Sequence, residues 1–144
     1  MSRQTDLMSA GIVASVAGAI VFEVAAWLGF AMLGTSSSGA DADNVRWFVG
    51  FVVLRAPIQV LLELLVGWII YQLLRKTGHF ALGLAVILPA LVGFVVGAKA
   101  GSLTFGTVWP EYVQVTALAG MIGWGAAGAT FWAFARDGRG ASAA

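Results

Sequence analysis

The sequence predicts an all-α polytopic membrane protein, a bundle of four transmembrane helices with both termini on the cytoplasmic side. Three observations carry that reading. Apolar residues make up 60% of the chain and charged residues only 10%, and the mean hydropathy of +0.90 lies outside the range of ordinary soluble domains. The apolar residues run continuously over ~20 positions, the length a helix needs to cross a bilayer, where barrel strands would alternate over ~10. Most charges gather between those runs. At 144 residues the chain is read as a single transmembrane domain, 1–144, with no room for a soluble catalytic domain.

The first span is expected at residues 8–34. Arg3 ahead of an apolar run, with "AGA" at 17–19, resembles a secretory signal and its cleavage site. The apolar run continues through Val21, Phe22, Val24 and Trp27 to Leu33, so the segment is expected to remain as a span. "TSSSGADADN" (35–44) is too polar for hydrocarbon and is read as a connection. The second span covers 47–74, "RKTGH" (75–79) forms a short turn, and the third span covers 80–98. A Gly/Thr-rich connection over 99–111 leads to the fourth span, 112–135, and then to the charged tail "RDGRGASAA".

Loop charges set the expected orientation, because Lys and Arg are retained in the cytoplasm. Arg3, Arg75, Lys76, Arg136 and Arg139 fall on one side of a four-span arrangement, and Asp41, Asp43, Arg46, Lys99 and Glu111 on the other. Both termini are therefore expected to be cytoplasmic, with the chain integral to the inner membrane of a bacterium. Trp47, Trp109 and Tyr112 would mark the outer interface, and Tyr71 and Trp132 the inner one, where amphipathic rings prefer to sit.

The same composition excludes several classes. A net charge of +1 without a basic run argues against nucleic acid. With no Cys there are no disulfides, thiolate metal sites or Fe–S clusters, and one His cannot supply bis-His haem. The sequence has no HExxH helix, no Ser/His/Asp constellation and no GxxxxGK[ST] loop, so neither enzyme activity, a metal site nor a cofactor is expected. His79 is read as an interfacial residue beside Arg75 and Lys76, and "VGFVV", at 49–53 and 92–96, recurs over too short a stretch to define an inverted repeat.

One stretch departs from the apolar pattern. "LRAPIQVLLELLVGW" (54–68) places Arg55, Gln59 and Glu63 at i, i+4 and i+8, on one helix face, with Pro57 removing a backbone donor where the stripe begins. An Arg or Glu at a span centre costs ~2.5–3.5 kcal/mol, so the stripe is expected to face protein or a water-filled cavity. Glu23 lies at nearly the same depth as Arg55 in the antiparallel first span, which makes it the expected partner. That leaves Glu63 as the surplus carboxyl, able to carry a proton or hold a cation. Snorkelling of Arg55 to the headgroups, or a purely structural clamp, are the alternatives.

Small residues suggest where helices approach one another. Gly120, Gly123 and Ala127 give the fourth span a smooth side, and Gly93 and Gly97 form a GxxxG pair in the third. These suit either packing within the bundle or association into a homo-oligomer. Trp124 falls near the middle of the fourth span, where it either packs in the core or walls a cavity with Trp27 or Trp68.

Two functions are compatible with this pattern. One is a channel or transporter in which Glu23, Arg55, Gln59 and Glu63 bind and pass a small ion or polar solute. The other is a non-catalytic subunit that docks on a larger membrane complex or holds lipid or pigment. Transport requires the stripe to border a water-accessible cavity; a docking subunit would bury the stripe and expose its Gly/Ala seams.

Overall fold

A computed structural model describes residues 3–33, 42–78, 81–105 and 110–140, with side chains placed over 6–33, 53–78, 81–104 and 110–135. Asp41, His79 and Trp109 lie outside the described residues, as do the side chains of Arg3, Asp43, Arg46, Trp47, Arg136 and Arg139. The described residues form four helices: α1 (Arg3–Met32), α2 (Ala42–Thr77), α3 (Leu82–Phe105) and α4 (Pro110–Gly140). Each contains a stretch long and apolar enough to cross a membrane: Asp6–Met32, Val53–Thr77, Leu82–Thr104 and Pro110–Ala135.

Helix ends run beyond several of the expected spans: α1 begins at Arg3, α2 extends to Thr77 through residues read as a turn, and α4 continues to Gly140 into the charged tail. α2 begins at Ala42, inside the stretch read as a connection. Polarity keeps a segment out of hydrocarbon without keeping it out of a helix, whose first N–H groups are satisfied by water or side chains. α3 continues past residue 98 through Lys99 to Phe105. Lys99 is exposed, so its ammonium can leave the helix flank, and Gly101 beyond it is buried against Thr116 of α4. The turn after α2 follows the usual chemistry of helix ends: Gly78 takes a positive φ of 72°, and its N–H donates to the Arg75 carbonyl at 3.4 Å.

α4 is the centre of the bundle. It packs extensively against α3 and α1, which do not touch each other among the described residues. α2 lies over this three-helix layer, resting mainly on α1, and most of its surface faces outward. Small residues account for the tight seams. A Cβ added at Gly93 would collide with the Gly120 carbonyl and Trp124, and one at Gly97 with the Thr116 carbonyl, so these backbones meet directly. The α1 seam is built likewise, with Gly123 of α4 under Phe22 and the Gly18 carbonyl. Gly93, Gly97, Gly120 and Gly123 are all buried within the chain, and Ala127 is half-buried against Gly18.

Pro89 adds a local consequence in α3. It cannot return a hydrogen bond to the Ala85 carbonyl. That carbonyl lies instead against Gly128 of α4, where a Cβ would strike it.

Backbone contact of this kind tolerates no side chain. Gly97→Leu is expected to destabilise the protein in detergent unfolding by about 1–3 kcal/mol or more, as overpacking does. Gly83→Leu on the same helix, where an added Cβ meets nothing within 4 Å, is expected to stay within about 0.5 kcal/mol of wild type.

Candidate functional site

The polar stripe of α2 divides into two parts. Arg55 turns toward α1, with Nη2 3.3 Å from Glu23 Oε1; the side chains are 19% and 17% exposed. The guanidinium also stacks over Phe22, its central carbon 4.2 Å from the ring centroid, so charge pairing and a cation–π contact hold it at one place. One and two turns further along α2 the second part begins. Gln59 Nε2 donates to Glu63 Oε1 at 3.0 Å, a buried bond between residues four apart.

Glu63 is only 5% exposed. Its other oxygen, Oε2, is buried and receives no hydrogen bond from any of the described residues. Gly18 makes room for it: a Cβ at that position would come 2.7 Å from Glu63 Oε2 and 2.7 Å from Ala127 Cβ. The carboxyl therefore sits where α1, α2 and α4 converge.

Glu63 also stands at the inner end of a cavity of about 420 Å³ between α2 and the layer beneath it. α1 contributes residues from Leu7 to Ser15, α2 from Glu63 to Leu74, α3 Ala85 and Pro89, and α4 Trp124 to Phe131. All of these belong to the half of the bundle that holds the N-terminal part of α1 and the α2–α3 turn. The cavity thus runs from mid-span toward one end. Toward the opposite end the helices close over Phe22, Gly123 and the Glu23–Arg55 pair.

The lining is mostly apolar, with Ser15, Glu63 and the polar tips of its aromatic residues as exceptions, and four aromatic residues contribute to it: Trp68, Tyr71, Trp124 and Phe131. Tyr71 meets Phe131 edge-on at 5.2 Å and lies 5.7 Å from Trp68. The sequence-derived cavity candidates separate here. Trp124 is buried and Trp68 half-exposed, both on the lining, whereas Trp27 is 57% exposed on the outside of α1 and takes no part.

Of the stripe candidates, only Glu63 reaches the cavity. Glu23, Arg55 and Gln59 lie next to it in the chain's interior, bound to one another or to Glu63. Tyr71, which the sequence places at the inner interface, is buried at 6% exposure and lines the cavity, a role its sequence reading does not include. A signal was present: Tyr71 follows Glu63 by eight residues and so continues the face of Arg55, Gln59 and Glu63. Phe131 and Ser15 had no such mark. Among the described residues no group of three or more His, Cys, Asp or Glu side chains comes together to hold a metal ion.

Set against known proteins, the chain matches no family model, no curated protein and no solved structure.

The paired charges make a mutational prediction. Arg55→Ala strands Glu23 in the interior and is expected to cost about 3 kcal/mol or more. Glu23→Ala combined with Arg55→Ala strands neither and is expected to cost less than Arg55→Ala alone. Unfolding of the three variants in detergent gives the coupling energy; additive losses would show that the two residues act independently.

Proposed function

We propose that the protein is a small membrane transporter whose solute site is the Glu63 end of the cavity, reached from one side of the bilayer at a time. The observation that carries this reading is the position of Glu63: a buried carboxyl with one oxygen free of donors among the described residues, at the closed end of a cavity reaching from mid-span toward one end of the bundle. A buried ionisable group of this kind is costly and is kept where it binds or relays something. Glu23 and Arg55 act as a closure on the opposite side, not as part of a continuous polar path, since they are turned toward each other beyond the cavity.

The alternative, a docking subunit, draws support from the placement of Glu23, Arg55 and Gln59 away from the cavity, and would also need exposed Gly/Ala seams. Gly93, Gly97, Gly120 and Gly123 are covered by the chain's own helices, which leaves the transport reading better supported.

In the orientation we infer, both termini and the α2–α3 turn face the cytoplasm, as the concentration of Arg and Lys at that end favours. The cavity is then the cytoplasm-facing one, in the inner membrane of a bacterium. Gly78→Cys tests this in a chain with no other Cys. An impermeant maleimide is expected to label the variant in inverted vesicles and leave it unlabelled in intact cells; the reverse pattern would invert the topology.

Glu63→Gln is the direct test of the site. The amide oxygen can still accept from Gln59 while the charge is lost. The variant is expected to fold within about 1.5 kcal/mol of wild type and to lose flux in reconstituted vesicles. Wild-type protein that passes no cation or small solute of a broad panel, including protons followed by a pH dye, would overturn the transport reading.

A further inference from the structure

We infer that the cavity binds a lipophilic organic monocation, its charge against Glu63 and its apolar body among Trp68, Tyr71, Trp124 and Phe131. This rests on the same site as the transporter reading and names the class of its solute.

Charge is the first argument. Within the described interior of the bundle, Glu23 is already matched by Arg55, and Gln59 supplies Glu63 with one neutral hydrogen bond. Among the described residues no donor reaches Glu63 Oε2. A ligand that brings one positive charge completes this set, whereas an anion would face the carboxylate in a medium that screens little.

The lining then decides what kind of cation fits. A small inorganic cation entering the cavity gives up hydration, and divalent ions of the Ca²⁺ or Mg²⁺ type want about six oxygen ligands in its place. Here the side chains offer only the Glu63 carboxyl and the Ser15 and Tyr71 hydroxyls, fewer oxygens than such an ion needs. Among the described residues there is no further acidic cluster to add to them. An organic cation carries its own apolar shell and loses little water on transfer. Its charge is delocalised or shielded by carbon, which is what an aromatic wall accommodates through its π faces.

Size agrees. A volume of about 420 Å³ falls in the range of small-molecule sites, ~300–1,000 Å³, and apolar walls with a few placed polar groups are typical of them.

Tetraphenylphosphonium is a suitable probe because tetraphenylborate has nearly the same shape and the opposite charge. Equilibrium dialysis of the full chain in uncharged detergent is expected to show saturable binding of tetraphenylphosphonium, about one per chain, and no saturable binding of tetraphenylborate. This comparison needs no variant. Glu63→Gln is expected to weaken binding of the cation by about tenfold or more, equivalent to about 1.4 kcal/mol. Gly67→Phe serves as a second variant. Gly67 lines the cavity and an added Cβ meets nothing within 4 Å, so the ring can enter the cavity without a clash at its first carbon; it is expected to block the cation.

Absence of saturable cation binding, equal binding of the two ions, or unchanged affinity in either variant would overturn the inference. Equal binding in particular would mark the cavity as an acceptor of any apolar body, such as a lipid chain. Uptake of tetraphenylphosphonium into proteoliposomes separates this from the transport reading. Charge-selective binding without uptake keeps the ligand class and removes transport; uptake of other solutes without cation binding does the reverse.

Discussion

The ion pair between Glu23 and Arg55 holds together a bundle that would otherwise have little reason to keep its second helix in place. α2 presents mostly Leu, Ile and Val to its surroundings, and lipid accepts those side chains as readily as protein does. Van der Waals contact with α1 therefore gives it limited preference for one position. An intramembrane charge is different, because every position except the one beside its counter-charge is costly. Arg55 has that counter-charge and the Phe22 ring on the same stretch of α1. Depth and rotation of α2 are set together by this one contact. Gln59 and Glu63 follow on the same face and are thereby aimed into the bundle.

The remaining helices are held by the opposite device, the absence of side chains. α4 meets α3 and α1 through glycine seams in which carbonyl groups touch the neighbouring backbone. Close approach on that side and looser packing under α2 leave unequal space in the interior, and the cavity occupies it. A mid-span carboxyl at the end of an apolar, aromatic-lined space is thus a product of two packing regimes in one small chain. Neither would create it alone.

Much of this was legible in the sequence, because the rules involved are local. Hydropathy runs gave the four spans, helical spacing placed Arg55, Gln59 and Glu63 on one face, and depth counting matched Glu23 to Arg55. The helix ends at Ala42 and Phe105 were not legible, since hydropathy reports where lipid begins and helices extend beyond it. The cavity was the least legible feature. It depends on how far α2 stands from three other helices, so nothing in the residues themselves distinguishes Trp68, which borders it, from Trp27, which faces outward. The division of the stripe into a paired half and a cavity-facing half has the same origin.

The central position of α4 has a consequence for how the chain is made. The helix that supplies both large seams is the last of the four to be synthesised, so neither α1 nor α3 can reach its main neighbour until all four exist. Until then α1 has only α2, which also meets α3 to a smaller extent. Glu23 and Arg55 both lie in that first hairpin, and the two charges can leave the insertion machinery already neutralised by one another. Glu63 enters with them and has only Gln59 for company. Its surroundings are completed by the last of the four helices, when Ala127 arrives on α4, so a chain lacking α4 would leave the Glu63 carboxyl open on one side.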